Sequence, residues 1–302
     1  MVLSGGTGVI GRAALPALLA AGHEVVVLSR SLPNHEFARS HGAEAVEGDL
    51  LDPDSLKRAY AGADAVVNLA SQIPIGYTAV LPGAWRRSDE LRTTGVAHVV
   101  AAAAEAGVRR VVQESVSYVY ADAGDSWIDE DDPLEITAAT EPVAVAESRV
   151  QEYSDSVRTG VVLRFGSTVG ADPQTAFMLR GARNGRPVGF GRPEGWAHII
   201  HTDDLGAAVV AALHAPSGVY NVGAEPVRRA DLAEGFASSV GVDRPQFLGP
   251  ILRRVAGGRI EPLTRSLRVC SERFTANTGW APSRPHFDAS WLAAAAELQS
   301  SP

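Results

Sequence analysis

Residues 1–30 read MVLSGGTGVIGRAALPALLAAGHEVVVLSR, and this stretch decides the fold. A short apolar segment leads into Gly5, Gly8 and Gly11, which are followed by an Ala- and Leu-rich helical segment and a second apolar strand at residues 25–28. Because glycine has no Cβ, such a loop lets backbone N–H groups approach a phosphate at the amino end of the helix. This order of strand, glycine loop, helix and strand predicts a dinucleotide-binding unit.

The first half of the chain continues to alternate apolar runs with Ala-rich helical stretches. Strands are predicted at residues 65–70, 109–115 and 160–165, and helices at residues 12–22, 55–63 and 93–107. The strands are continuous apolar runs rather than alternating ones, as expected for a sheet that is covered on both faces. The pattern predicts an α/β fold with a Rossmann-like, doubly wound parallel sheet.

The second half of the chain has a looser pattern that predicts a smaller, discontinuous C-terminal substrate lobe. We expect residues 1–165, joined by residues 195–222, to form the dinucleotide-binding core. Residues 166–194, rich in Gly, Pro and Arg, and residues 223–302 are expected to form the lobe.

Charge and cysteine content exclude several classes of function. The 302-residue chain has a net charge of −8 and one cysteine, Cys270, which allows neither an internal disulfide nor a zinc cluster. Net negative charge argues against binding to nucleic-acid phosphates, and no apolar run has membrane length. We expect a cytoplasmic protein that binds a small molecule and neither nucleic acid nor membrane. The oligomeric state is left open.

Two compositional features bear on the chemistry. Of the 27 basic residues only Lys57 is a lysine, a usage typical of GC-rich coding. The acidic run at residues 129–132 precedes Pro133 and reads as a solvated loop, so no metal site is predicted.

The end of the second strand indicates which dinucleotide is bound. NAD enzymes usually place a carboxylate there, to accept a hydrogen bond from the ribose 2′-hydroxyl. Here the strand ends in Ser29, Arg30 and Ser31, and a guanidinium flanked by hydroxyls suits a 2′-phosphate. NADP or NADPH is therefore the expected cofactor.

Seven short motifs follow one another along the chain. They are GGTGVIG (5–11), GDLLD (48–52), NLA (68–70), VYAD (119–122), HTDD (201–204), VYNVG (219–223) and TGWAP (278–282). In this order they resemble the extended short-chain dehydrogenase/reductase family, the group of NAD-dependent epimerases and dehydratases. The resemblance implies that Asp49 contacts adenine and that the NLA strand end passes beneath the adenosine ribose.

The glycine loop, the end of the second strand and the resemblance together define a set of predicted cofactor contacts. The set consists of Gly5, Thr7, Gly8, Val9, Ile10, Gly11, Arg30, Ser31, Asp49, Leu50, Leu69, Ala70, Ser71 and Arg149.

The chain departs from the family at the catalytic positions. The family has Pro, then Tyr three residues on, then Ser-Lys, whereas residues 142–152 read PVAVAESRVQE. Val145 therefore stands at the tyrosine position and Arg149 at the lysine position. The upstream serine or threonine falls on Val116, and the structural asparagine falls on Arg92. We interpret the tyrosine–lysine dyad as absent.

Valine cannot donate the proton that tyrosine supplies in the family, and arginine stays protonated. In a ketone beside a phenol, the phenol can donate the proton. The hydroxyls of Ser115 and Ser117 are the candidate catalytic contacts to the ketone oxygen. Tyr118 and Tyr120 are weaker candidate donors. We predict an NADPH-dependent ketoreductase of a secondary metabolite with a polycyclic ketone as substrate, similar to the dyad-less ketoreductases of angucyclinone-type aromatic polyketide pathways.

Two other functions remain open from the sequence. The first is a sugar-nucleotide epimerase, dehydratase or redox-silent enzyme of the same fold. Such an enzyme would hold a diphosphate with lobe arginines, for which the candidates are Arg253, Arg254, Arg259, Arg265 and Arg268. The second is a non-enzymatic NADP-binding sensor. His198 and His201 are titratable but are expected to be structural.

Overall fold

The structure is a computed structural model that describes residues 1–249 and 258–297. Its strands are β1 (Val2–Ser4), β2 (Val26–Ser29), β3 (Glu44–Glu47), β4 (Ala65–Asn68), β5 (Arg110–Val116), β6 (Trp127–Ile128), β7 (Thr159–Phe165), β8 (Ser167–Val169), β9 (Trp196–Ala197), β10 (Ile199–His201), β11 (Gly218–Val222), β12 (Val227–Arg228) and β13 (Arg268–Val269).

The α-helices are α1 (Val9–Ala20), α2 (Leu32–Ser40), α3 (Pro53–Tyr60), α4 (Arg86–Glu90), α5 (Val96–Glu105), α6 (Glu141–Glu152), α7 (Pro173–Arg183), α8 (Leu205–Ala212), α9 (Arg229–Ser238), α10 (Glu272–Thr278) and α11 (Ala293–Glu297). A π-helical turn, Leu91–Gly95, joins α4 to α5. Shorter 3-10 turns lie at Gly76–Val80, Ser117–Val119, Thr202–Asp204, Glu261–Thr264 and Ala289–Leu292.

Seven strands form one sheet in the order β11–β7–β5–β4–β1–β2–β3, and every neighbouring pair is parallel. The predicted α/β fold with a doubly wound parallel sheet is confirmed. The strand order reverses between β1 and β4, and in such sheets ligands bind outside the carboxyl ends of the strands at that point.

Both faces of the sheet are covered, which explains the continuous apolar runs. Leu3 and Val67 belong to a buried cluster with residues of α1 and α8, whereas Val2 and Val66 belong to a second cluster with residues of α3, α5 and α6. Because successive side chains point to opposite faces, every residue of such a strand must be apolar.

The predicted strands and helices are present with shifts of a few residues at their ends, whereas several other elements, among them β3 and α2, were not predicted. The edge strand β3, with sequence EAVE, has exposed glutamates at both ends. Helix α2 is short and mostly polar. Neither carries the apolar run that burial on two sides requires, so the prediction overlooked both.

A third buried cluster lies apart from the sheet. It joins α7, α9 and α11 through residues that include Leu179, Phe236 and Ala295, and it also contains Ile199 of β10. The proposed boundaries of the core and lobe remain a prediction. In the part of the chain that the structure describes, no helix combines the length and apolarity needed to cross a membrane.

Helices α1 and α8 approach closely because Gly206 has no side chain. A Cβ at Gly206 would lie 2.4 Å from the Ala13 carbonyl oxygen and 2.9 Å from the Ala17 Cβ. We expect Gly206→Ala to destabilise the protein by about 1–3 kcal/mol through overpacking, measured as a lower midpoint of thermal unfolding.

The matched control is Gly181→Ala in α7, where the nearest atom would be 3.9 Å from the new Cβ. Alanine is the better helix former, so this change should leave the midpoint unchanged or raise it. Equal midpoints for the two variants would contradict the close packing of α1 on α8.

Candidate functional site

The glycine loop packs against the carboxyl end of β4. A Cβ on Gly5, whose φ is +76°, would lie 2.5 Å from the Leu69 carbonyl oxygen, and one on Gly11 would lie 2.1 Å from the Gly5 oxygen. Gly8 is exposed at the start of α1, and no side chain caps this helix. The helix therefore presents free N–H groups beside a cradle that only glycine can form, which fits a dinucleotide pyrophosphate.

The other predicted cofactor residues, apart from Arg149 on α6, lie along the carboxyl ends of β1 to β4. The Leu69 amide donates to the Ser4 oxygen at 3.0 Å, and the Ala70 amide donates to Asn68 Oδ1 at 3.3 Å. Partly buried positions are Thr7, Val9, Ile10, Ser31, Ala70 and Ser71, whereas Leu50 and Leu69 are buried.

Charged groups meet where β2 and β3 end. The Arg30 side chain is 56% exposed, and its Nη1 lies 3.6 Å from Asp49 Oδ2. Arg87 Nη2 straddles the same carboxylate, at 2.7 Å from Oδ2 and 3.0 Å from Oδ1. Partial burial opposes ionisation, but the Leu51 amide and the two guanidinium groups outweigh it and lower the pKa of Asp49.

Helix α6 carries the positions at which the family has its dyad. Val145 is half-buried and Arg149 is exposed. The two lie four residues apart and therefore share one face of the helix. Arg149 can still place a positive charge against cofactor hydroxyls, but it cannot act as an acid near neutral pH.

A buried hydrogen-bond network holds Glu147, which lies on a different face of α6. The Ser115 hydroxyl donates to Glu147 Oε1 at 2.5 Å, and Arg164 binds both Glu147 oxygens, at 2.9 and 2.6 Å. Arg164 also donates to the Tyr120 hydroxyl at 2.8 Å, which donates to Asn221 Oδ1 at 2.8 Å. All five residues are buried. The Ser115 hydroxyl is thus bonded to protein, and its catalytic role remains a prediction.

The two candidate tyrosines also bond within the protein. Burial raises the pKa of Tyr120 to about 12. The hydroxyl of Tyr118 pairs with that of Ser167 at the start of β8. Ser117 is buried in the turn after β5, and its catalytic role likewise remains a prediction.

Arg92 at the family's asparagine position is buried in the π-helical turn. Its Nη2 lies 2.9 and 3.2 Å from the two oxygens of buried Glu114. A buried ion pair thus stands where the resemblance implies a neutral amide, and this pair joins the π-helical turn before α5 to β5.

The two histidines have structural surroundings. Burial lowers the pKa of His198 to about 3, so this ring is neutral at physiological pH. His201 Nδ1 accepts the Asp203 amide at 3.1 Å, and its ring meets Trp291 edge-on with centroids 5.0 Å apart.

The acidic run is more ordered than a solvated loop. The side chain of Glu130 is 1% exposed and pairs with Arg273 at 3.2 Å, and both Asp131 oxygens bind the same guanidinium. The expectation of a fully solvated segment was wrong for Glu130, because α10 brings Arg273 over it.

The three described arginines among the diphosphate candidates have partners within the protein. Arg265 binds Glu261, and Arg268 stacks on the rings of Trp127 and Trp196 at 4.1 and 4.6 Å. Arg259 binds both oxygens of Asp89 and lies 5.7 Å from the ring centroid of Trp85. Arg253 and Arg254 lie outside the described residues.

A groove of about 520 Å³ lies between α4 and the segment that precedes it. Its apolar wall consists of Ala79, Val80, Leu81, Pro82 and Trp85, and Arg259 and Asp89 lie on its polar side. Arg259 Nη1 also lies 3.5 Å from the carbonyl oxygen of Ala139, two residues before α6. The groove therefore borders the amino end of the helix that carries Val145.

This fold and this strand-end site define a dinucleotide-binding α/β enzyme. Residues 1–223 match the NAD dependent epimerase/dehydratase family, and the chain belongs to that family. Membership supports the predicted nicotinamide dinucleotide cofactor.

Two relatives with assigned activities differ in their chemistry. The chain is 31% identical over 301 residues to the 3-diazoavenalumate denitrifying reductase of a Streptomyces species, covering 94% of this chain and 96% of that protein. It is 26% identical over 279 residues to a UDP-glucose 4-epimerase of Neisseria meningitidis, covering 80% and 79% of the two chains.

Solved structures share the fold. The UDP-glucose 4-epimerase of Thermus thermophilus in complex with NAD has a TM-score of 0.77 at 21% identity, covering 99% of this chain and 98% of that chain. MoeE5 in complex with UDP-glucuronic acid and NAD has a TM-score of 0.77 at 20% identity, with the same coverage.

Sequence reasoning missed Arg87, Glu147 and Arg164. Their partners in the site are 17 to 44 residues away in the chain, and no periodic pattern links them. The available signal for such a pair was a charge within an apolar run, as with Arg164 in the strand GVVLRF. A charge buried there needs a partner.

The Glu147–Arg164 pair provides a test of the network. We expect Arg164→Met to destabilise the protein by about 3–5 kcal/mol, because it leaves the Glu147 carboxylate buried without its cation. Adding Glu147→Gln should recover much of that loss in chemical denaturation. A double variant no more stable than Arg164→Met would contradict the pairing.

Proposed function

We propose that this enzyme is an NADPH-dependent reductase of an aromatic secondary metabolite, and that it reduces a substrate needing no proton from the tyrosine position. The observation that carries the proposal is Val145 on α6, at the position of the family's proton donor. Four of the six tyrosines, Tyr118, Tyr120, Tyr153 and Tyr220, have hydroxyls that are bonded within the protein.

The residues present can bind each part of the cofactor. Bound NADPH would supply a hydride. The glycine loop would hold the pyrophosphate, Arg30 the 2′-phosphate, and Arg149 the ribose on the nicotinamide side, where its fixed charge also favours negative charge developing on the substrate.

A ketone beside a phenol can be reduced without a proton from position 145. Hydride adds to the carbonyl carbon, the phenolic proton passes to the carbonyl oxygen, and solvent then reprotonates the phenolate. General acid help is typically worth about 10²–10⁴ in rate, and here the substrate provides it. A polycyclic ketone of the aromatic polyketide type has this arrangement.

A second substrate class is favoured by the Streptomyces relative, whose name describes a reductase that denitrifies a diazo compound. When hydride replaces the diazonium group of an aryl ring, the C–N bond breaks and dinitrogen leaves with the bonding electrons. That replacement consumes no proton. Valine at position 145 is therefore compatible with it.

The groove beside α4 supports an aromatic substrate over a sugar nucleotide. One side of the groove is apolar, and both of its arginines lie beside a carboxylate: Arg259 binds Asp89 at 3.2 Å through Nη1, and Arg86 lies 3.9 Å from Glu90. A diphosphate is usually held by arginines that are free to form paired hydrogen bonds. The epimerase alternative, which the Neisseria relative favours, also needs reversible proton abstraction from a sugar hydroxyl.

The test is NADPH oxidation by the purified protein with matched substrates. We expect turnover of an aromatic ketone with a neighbouring hydroxyl and a loss of about 100-fold or more for its O-methyl ether. An aryl diazonium salt tests the second class through dinitrogen release. Epimerisation of UDP-glucose, or tight NADPH binding without any turnover, would reject the reductase in favour of the epimerase or the sensor, respectively.

The serine hydroxyls are tested by single substitutions. We expect Ser115→Ala and Ser117→Ala each to slow reduction by less than about 100-fold, because the substrate provides the acid. Ser115→Ala should also lower the unfolding midpoint, since Glu147 loses a buried donor. Ser148→Ala, an exposed serine on α6, is the control. Complete loss of turnover in either test variant would identify that hydroxyl as the acid.

A further inference from the structure

Arg87 has no role in the sequence-based scheme, yet it makes the closest charged contact at the adenosine end of the site. It lies on α4, whereas Arg30 follows β2 and Asp49 follows β3. Strands β2 and β3 are parallel neighbours with Ser29 opposite Glu47, so their carboxyl ends bring Arg30 and Asp49 together. Arg87 reaches this point from the segment after β4.

The guanidinium groups of Arg87 and Arg30 both lie near the Asp49 carboxylate. Arg87 Nη2 lies within hydrogen-bond distance of both Asp49 oxygens, at 2.7 and 3.0 Å, whereas Arg30 is at 3.6 Å. The Asp49 oxygens also accept the Leu51 amide at 3.0 Å, and Glu90 lies 3.9 Å from Arg87. The carboxylate is therefore satisfied without Arg30, whose side chain remains more than half exposed.

The charge of Asp49 matters because a 2′-phosphate would have to bind close to it. A phosphate with about two negative charges is repelled by a neighbouring carboxylate and attracted by a free guanidinium. Without Arg87, Arg30 would become the nearest cation to Asp49. Arg30 would then be less available to a 2′-phosphate, and the Asp49 carboxylate would be more exposed to it.

We propose that Arg87 is a positioning residue for cofactor choice: by binding Asp49 it leaves Arg30 free for the 2′-phosphate of NADPH. This inference rests on the proposed preference for NADPH. It makes cofactor choice depend on a residue 57 positions away from the strand end that contacts the ribose.

The test compares two adenosine ligands that lack nicotinamide, 2′,5′-ADP and 5′-AMP, by titration calorimetry. The native protein should bind 2′,5′-ADP more tightly. Arg87→Ala should weaken 2′,5′-ADP binding by about 10-fold, as expected from the loss of one favourable charge, and should change 5′-AMP binding by less than about 3-fold. Likewise, Arg87→Ala should weaken the binding of NADPH more than the binding of NADH.

Removal of the carboxylate distinguishes positioning from a structural role. If Arg87 acts by neutralising Asp49, the double variant Arg87→Ala/Asp49→Asn should recover 2′,5′-ADP binding to the level of Asp49→Asn. Arg87→Lys, which keeps the charge, should keep most of the selectivity. Unfolding midpoints establish that each variant is folded.

A matched control is the exposed pair of Arg109 and Asp64, 3.3 Å apart at the amino ends of β5 and β4. Arg109→Ala removes the same kind of contact from the opposite edge of the sheet and should change neither ligand's affinity.

Any of three results would overturn the inference. Equal weakening of both ligands by Arg87→Ala, or failure of Asp49→Asn to recover binding, would show that Arg87 only supports the structure. Equal affinity of the native protein for both ligands would instead reject the NADPH preference itself.

Discussion

The buried pair of Glu147 and Arg164 constrains the rest of the site. Two charges taken out of water carry a large desolvation cost, and here the hydrogen bonds of Arg164, with the hydroxyl of Ser115, offset it. The pair fixes α6 to β5 and β7. Because Glu147 is held inward, the rotation of α6 is set, and Val145 and Arg149 share a different face of the helix. The position of the family's proton donor is thus fixed by charges on another face of the same helix.

Helix α4 has only five residues but connects the two ends of the site. Arg87 binds Asp49 where β3 ends, and two residues later Asp89 binds Arg259 beside the apolar groove. Both contacts are between opposite charges, so ion pairs help to hold α4 against the neighbouring elements. The same short element therefore borders the adenosine end and the proposed substrate end.

Much of the fold followed from the sequence, because strands buried on both faces must be apolar throughout. The glycine loop was equally readable, since Gly5 and Gly11 leave no room for a Cβ. The edge strand β3 and helix α2 were missed because an exposed element lacks that signature. Ser115 could be placed at the end of β5, but its bond to Glu147, 32 residues away, could not be foreseen.

The sequence by itself determined the parallel sheet, the phosphate loop and the absence of tyrosine from position 145, because each depends on residue type and local spacing. Only the tertiary structure decided which charges meet. Arg87 and Asp49 are 38 residues apart and come together because α4 returns over the strand ends. Ion pairs act through space over a few ångströms, and no local pattern in the chain records which distant partner will lie within that distance.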